Sequence, residues 1–318
     1  MTVGISLTNG KEAFVVADRR ASGHGRKTDS FDKITPFSAP NYGGVVFGSG
    51  EGNVLLALSD KMGDIKEANL DDYVHQTHQK LNETTDFYDQ LNLDFHKGEI
   101  MKKSSMIPDE KKRKQFIKSQ TINAMRDYDK SKQPESNNRT DIWMVAFDKD
   151  LGKIRYHGFN NLGGFVESFI YHVITGSGSD GADAYFSQKL QGLNPKTFST
   201  TDLAFHLMNA YSFSTMSSGV GGIPQVRIIS EKGVQPLALD EEIVLTNLSG
   251  AYLSEFNNNL TASKTKEIIS NVLKKEKLVY KDISSMLDLN EKALTTMAIP
   301  YGTWQERANM NYVENHKE

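Results

Sequence analysis

Residues 3–7 and 13–17 are two apolar-rich runs separated by Asn9-Gly10, and this arrangement constrains the fold more than any other stretch of the chain. Asn-Gly between apolar runs favours a tight antiparallel hairpin, because both residues tolerate the positive φ such turns demand. The second run ends in Ala17-Asp18-Arg19-Arg20, and Lys33 follows a Gly-rich, polar excursion. Thr2 stands ahead of the hairpin. An initiator Met before a small residue is ordinarily clipped in the cytosol, so the mature chain is expected to begin at Thr2. Only Met1 precedes it, so removal is expected by a methionine aminopeptidase rather than by autolysis. A terminal Thr carries a hydroxyl nucleophile and a free α-amine base on one residue. Taken singly the parts are weak. Many chains start Met-Thr, a strand ending Asp-Arg-Arg ordinarily makes a solvated ion pair, and one lysine is a surface lysine.

Bulk properties narrow the function classes. Net charge is −3, with Lys and Arg spread along the 318 residues, which argues against nucleic acid or an anionic membrane as the main partner. The chain has no cysteine, which excludes disulfides, a Cys nucleophile and Cys-ligated metal sites. There is no apolar stretch of membrane-span length and no signal-peptide core after Met1, so a cytoplasmic protein is expected. No cofactor is expected.

Downstream, two short strands are expected around Pro40-Asn41, the second entering Gly48-Ser49-Gly50-Glu51-Gly52 and then a helix through Val54 to Met62. Gly-rich turns at helix starts expose backbone N–H groups that hold phosphate or a developing oxyanion. No Gly-Lys-Ser/Thr follows, so this is not a P-loop. A helix is expected over about 70–91, with His75 and His78 read as surface histidines rather than metal ligands. Residues 94–138 shift in composition and read as an inserted segment, with Lys111 to Lys114 on a solvated helix. A second hairpin is expected at 141–147 and 153–159, then a strand near 169–174. That strand leads into Gly176-Ser177-Gly178-Ser179-Asp180-Gly181, a literal G-x-G-x-x-G. Its antiparallel setting argues against a dinucleotide fingerprint. Helices at 180–190 and 201–213 carry a buried-side His206. A strand at 225–229 and a turn at 231–233 follow. Beyond 240, helices are expected at 263–276 and 281–292.

Together these residues resemble the proteasome β-subunit branch of the N-terminal-nucleophile hydrolases. That family begins with Thr, ends its second strand Ala-Asp-x-Arg, and places a Lys before Ile or Val. Ala17-Asp18-Arg19-Arg20 and Asp32-Lys33-Ile34 fit. The Gly-Ser-Gly-Ser turn at 176–179 fits the one that precedes the family's third helix. The resemblance covers roughly residues 1–240 apart from the insertion at about 94–138, leaving 241–318 as a helical C-terminal extension. One departure is plain: where the family has Asp, two residues, Ser and Gly-Gly, this chain has Ser217 and Val220 before Gly221-Gly222.

The resemblance implies an α+β fold, a four-layer α/β/β/α sandwich of two packed antiparallel sheets. It implies a threonine-type peptidase or amidohydrolase with Thr2, Asp18, Lys33 and Ser177 as catalytic residues. Ser49 or Gly50 would donate to the oxyanion, with Arg20 and Ser217 as positioning residues, and no metal or cofactor. The partners implied are a peptide or unfolded protein substrate and further copies of the chain in a ring-like homo-oligomer. Alternatives in the same fold are an acyl transferase or protein ligase using the same Thr, or a catalytically weak structural ring subunit.

Overall fold

The computed structural model describes residues 3–19, 21–23, 26–28, 32–50, 52–67, 69–131, 140–161, 164–168, 171–215, 220, 224–253 and 261–275. The first hairpin forms: β1 (Gly4–Thr8) pairs antiparallel with β2 (Ala13–Asp18), Ile5 opposite Val16. Its turn is wider than the tight Asn-Gly turn expected: Thr8 pairs with Ala13, so the loop is the four residues Asn9–Glu12, and of Asn9 and Gly10 only Gly10 takes a positive φ. Gly10 takes φ +92°, and the Asn9 side-chain oxygen accepts the N–H groups of Lys11 and Glu12, each at 2.9 Å.

A short separate hairpin, β3 (Ala21–Gly23) and β4 (Arg26–Thr28), comes next, then β5 (Ile34–Ala39) and β6 (Tyr42–Ser49). Three helices follow: α1 (Gly52–Met62), α2 (Leu70–Ser105) and α3 (Glu110–Ser131). The second expected hairpin is β7 (Asp141–Asp148) with β8 (Lys153–Asn160), followed by β9 (Phe165–Ser168) and β10 (His172–Thr175). The chain continues through α4 (Ser179–Lys189), α5 (Thr200–Ser214), β11 (Pro224–Ser230), β12 (Gly233–Pro236), α6 (Leu239–Leu253) and α7 (Ala262–Lys274). The sheets are antiparallel, ordered β10-β1-β2-β11-β12 and β5-β6-β7-β8-β9. The protein is thus α+β, with two antiparallel sheets and seven α-helices among the described residues.

Three boundaries differ from the sequence expectation. The helix expected to end near Leu91 runs on to Ser105, because the polar stretch after it contains no Pro and only one Gly before its end. The strand expected near 169–174 is the four-residue β10, with β9 before it. Helix α6 was not expected. The helix expected at 281–292 lies outside the described residues.

The described residues form two compact units: one runs to Ser49 and takes in Trp143–His157 and everything from Glu167, the other Gly50–Ile142 and Gly158–Val166. In the first unit, alternation along β1 and β2 sorts side chains between two cores. Val3, Ile5, Leu7, Phe14 and Val16 pack with α4, α5, α6 and α7. Ala13, Val15 and Ala17 pack with Ile34, Val45, Phe47, Val145 and Tyr156 between the sheets. Both faces of this hairpin are buried, which is why its strands read as almost unbroken apolar runs. Burying a side chain such as Ile5 or Leu7 contributes about 1.5–3 kcal/mol. The segment read as an extension supplies Leu245, Leu248, Ile268 and Ile269 to the same core.

The second unit is helical. Asn69 caps α2 by accepting the Asp72 N–H at 2.9 Å, and Lys102 and Lys103 close its last turn. Tyr73, Val74, Leu81, Leu93 and Ile100 of α2 are buried.

Candidate active site

Asp18 is the last residue of β2 and is fully buried. Its Oδ1 accepts two hydrogen bonds, from the backbone N–H of Val3 at 2.9 Å and from Lys33 Nζ at 2.8 Å. The Asp18 N–H in turn donates to the Val3 carbonyl at 3.2 Å. Burial pushes the Asp18 carboxyl above its usual range, while the Lys33 ammonium and the Val3 amide pull it back. The other oxygen, Oδ2, is sealed from solvent and has no hydrogen-bond partner among the described residues. A carboxylate with an idle buried acceptor beside a cation is a costly arrangement.

Lys33 is positioned by a residue that the sequence reading did not single out. The Gln225 side-chain oxygen accepts the N–H groups of Lys33 and Ile34, at 3.0 and 3.1 Å, and its amide nitrogen donates to the Ile34 carbonyl at 3.5 Å. Gln225 sits on β11 opposite Ala17, one step from the pairing of Pro224 with Asp18. The signal was a lone amide in the apolar strand Pro-Gln-Val-Arg-Ile-Ile. Arg19 was also passed over. Its guanidinium donates to the Pro224 carbonyl at 3.1 Å and to Glu242 at 2.9 Å. Glu242, from α6, is fully buried and also accepts the Val226 N–H at 2.7 Å. Burial pushes its carboxyl up to about 7 against the pull of Arg19, Val226 and Arg227. Arg19 therefore braces the strand end that carries Asp18.

The turn between β10 and α4 approaches the same place. Gly176 takes φ +97°. A Cβ on Gly178 would lie 3.1 Å from Val3 Cβ and 2.6 Å from Val220 Cγ2, and one on Gly181 would meet the Phe213 carbonyl at 2.6 Å. The three glycines of the G-x-G-x-x-G are thus explained by a left-handed turn and two close approaches. Ser177 lies between the first two. Ser49, at the end of β6, shares a 2.8 Å hydrogen bond with Thr175, which pairs with Gly4. Gly50, next in the chain, takes φ +130°.

Asp18, Lys33, Ser177 and Ser49 therefore lie around the start of β1. Thr2, Arg20 and Ser217 lie outside the described residues. Val220 is buried and apolar. Elsewhere, the His78 ring packs on Phe159, and burial lowers its pKa. His206 shares a 3.0 Å hydrogen bond with the Tyr185 hydroxyl and is held down to about 4 by burial. Among the described residues, no cluster of three or more His, Cys, Asp or Glu is placed to hold a metal. No described helix is long and apolar enough to cross a membrane.

No family profile and no curated protein matches the chain. Solved structures do. Anbu (ancestral beta-subunit) from Yersinia bercovieri aligns with TM-score 0.53 at 13% identity, covering 82% of this chain and 99% of that one. A Gly-1 mutant of Anbu from Hyphomicrobium sp. strain MC1 aligns with TM-score 0.53 at 11% identity, covering 80% and 96%. At these identities the likeness shows a shared fold.

Proposed function

We propose that this chain is a proteasome-like N-terminal threonine hydrolase that cuts amide bonds, built as a four-layer α/β/β/α sandwich. The observation that carries the reading is the pair of bonds to Asp18 Oδ1, from Lys33 Nζ and from the Val3 amide. That amide nitrogen is covalently bonded to the Thr2 carbonyl carbon, so connectivity alone ties Thr2 to the buried ion pair. The fold shared with Anbu supports the reading.

Once its α-amine is free, Thr2 has nucleophile and base on one residue. Its Oγ attacks the substrate carbonyl while the α-amine, which ordinarily titrates at roughly 7.7–8.0, takes the hydroxyl proton. The amine of the cleaved bond leaves with that proton, and an ester to Thr2 remains. Water then attacks the ester, releasing the acid and restoring the hydroxyl. The positive charge of Lys33 favours the deprotonated hydroxyl and amine, and Asp18 holds Lys33 in place. The backbone N–H of Ser49 or Gly50 is assigned to the oxyanion. Ser177, Arg20 and Ser217 are assigned to positioning. The substrate class is a peptide or unfolded protein, and the setting a cytoplasmic ring of like subunits.

Thr2→Ala should abolish cleavage across a peptide panel, and intact mass of active wild-type protein should show the loss of one Met. Full activity in Thr2→Ala, or Met1 retained in active enzyme, would overturn the proposal. Val220 favours a second reading, a non-catalytic ring subunit, since an apolar side chain fills the place of the family's Ser beside Gly178. A Thr-directed covalent inhibitor that fails to label the wild type would select that reading.

A further inference from the structure

The buried Glu242 carboxylate meets a donor on each of its oxygens. Oε2 accepts from Arg19 Nη1 at 2.9 Å. Oε1 accepts the Val226 N–H at 2.7 Å and lies 3.6 Å from Arg227 Nη1. Both donors stand next to groups that hold the Asp18–Lys33 pair. Arg19 follows Asp18 in the chain, and its Nε lies 3.6 Å from Asp32, the residue before Lys33. Val226 follows Gln225, whose side-chain oxygen accepts the Lys33 N–H. One carboxylate therefore fixes both the strand end that carries Asp18 and the peptide unit that carries Gln225. It comes from α6, in the segment that the sequence marks as an extension beyond the core fold.

Packing alone does not ask for a charge there. Elsewhere α6 and α7 enter the core with Leu245, Leu248, Ile268 and Ile269, and taking ions out of water is costly. An apolar side chain at position 242 would fill the same space but release Arg19 to the Pro224 carbonyl and to Asp32, whose side chain is 71% exposed. Among the described residues, the charged groups that face Glu242 are Arg19 beyond β2 and Arg227 of β11, with Asp32 behind Arg19. Its two hydrogen-bond partners are N–H donors, so a proton on either oxygen would displace one of them, and the ionised form is the one that holds both. We propose that Glu242 is a positioning residue for the Asp18–Lys33 pair, acting through Arg19 and through the Gln225–Val226 peptide, so that the segment from Leu239 onward belongs to the active unit. For its effect on rate the proposal rests on the threonine-hydrolase reading. A shift of about 1 Å at a reacting centre can cost roughly 100-fold in rate, so a loosened brace acts on kcat, while the surface that binds substrate is unchanged.

Peptide-cleavage kinetics of the full chain across pH test this, with Ile269→Ala as a control that weakens the same core without touching the network. Glu242→Gln keeps the size and an acceptor for the Val226 N–H but not the charge. It should lower kcat about tenfold or more with KM changed less than about twofold, Glu242→Asp should lose less, and Ile269→Ala should leave kcat within about twofold. Burial raises the Glu242 carboxyl to about 7, so protonation releases Arg19 as pH falls through that value. Between about pH 8 and 6 the wild-type kcat should therefore fall more steeply than that of Glu242→Gln, in which only the Thr2 amine titrates over that range. If Glu242→Gln does not fold, Glu242→Asp and the slope of the wild type carry the test. Hydrogen exchange at the Val3 and Lys33 amides reads the same coupling without catalysis, since these N–H groups donate to Asp18 and Gln225. Both should exchange about tenfold faster in Glu242→Gln, with the amides of α2 unchanged. Faster exchange in a chain that cleaves nothing would support the coupling and sink the hydrolase reading. Unchanged exchange at both amides, a kcat loss no larger than that of Ile269→Ala, or equal pH slopes in wild type and Glu242→Gln would overturn the proposal.

Discussion

The two units of this protein hide opposite kinds of side chain. In the first, charge is inside: Asp18 and Glu242 are fully buried and Lys33 is 9% exposed. In the second, Asp89 apart, charge is largely outside and large apolar groups are outside with it. Lys114 bonds Glu110 at 2.6 Å with both side chains 75% exposed, while Phe95 is 66% exposed. Desolvating an ion pair costs several kcal/mol per ion, and a well-packed apolar pair of the same size is often as stable. A buried pair is therefore weak evidence for stability and stronger evidence for use.

The largest effect should come from breaking the buried pair. Lys33→Ala leaves Asp18 as an uncompensated buried charge and should cost about 3–5 kcal/mol in chemical denaturation. Asp18→Asn combined with Lys33→Met should recover much of that stability while leaving the chain inactive. If the double variant kept activity, the pair would be structural and the contrast between the units would lose its functional meaning.

Next in size is a pair of opposing pH dependences within the first unit. His206 is depressed to about 4, so the stability it contributes is present above its unfolded value near 6.5 and lost as pH falls towards 4. Glu242 is raised to about 7, so its contribution is present below its unfolded value near 4.5 and lost as pH rises through 7. Each shift corresponds to roughly 3 kcal/mol, and the two nearly cancel between about pH 4.5 and 6.5. Glu242→Gln should expose a stability that rises with pH over that window, and His206→Phe one that falls. Thermal denaturation midpoints across the window read the slopes. Slopes of the same sign in both variants would refute the assignment.

Gln225→Leu should be smaller, about 1–3 kcal/mol, because it orphans the N–H groups of Lys33 and Ile34 without burying a charge. Its catalytic effect should fall on kcat with KM little changed, since Lys33 shifts and the substrate surface does not. Gln225→Glu keeps an acceptor for both N–H groups and should restore part of kcat. An equal loss in both variants would make Gln225 a packing residue only.

How much of this was legible follows from range. Asn9-Gly10 and the apolar runs on either side of it are local signals, and the structure reproduces the hairpin they mark. The proximity of Asp18 and Lys33 to the start of β1 was readable only through a family pattern, since their 15-residue separation carries no geometric rule. Gln225 and Glu242 were not legible, because each acts on residues about 190 or 220 positions away across a sheet. Helix α6 was missed because its first turn, Leu239-Asp240-Glu241-Glu242, reads as a run of acids, and only Arg19 and Val226 explain why Glu242 goes inside.

The smallest effect is expected in α3. Lys111, Lys112 and Lys114 occupy its first turns, the end of the helix dipole that favours anions, so their charges are mildly unfavourable there. The Glu110–Lys114 pair offsets this by about 0.3–0.5 kcal/mol as an exposed i,i+4 bridge. The opposed terms should leave Lys114→Gln, and each of the other two Lys→Gln changes, within about 0.5 kcal/mol of wild type, and added salt should shrink even that difference. Denaturation at low and high ionic strength measures it. A loss of several kcal/mol that salt does not screen would mean this run is buried against a partner. The second unit would then hide charge as the first does, and the contrast drawn between them would fail at its most exposed point.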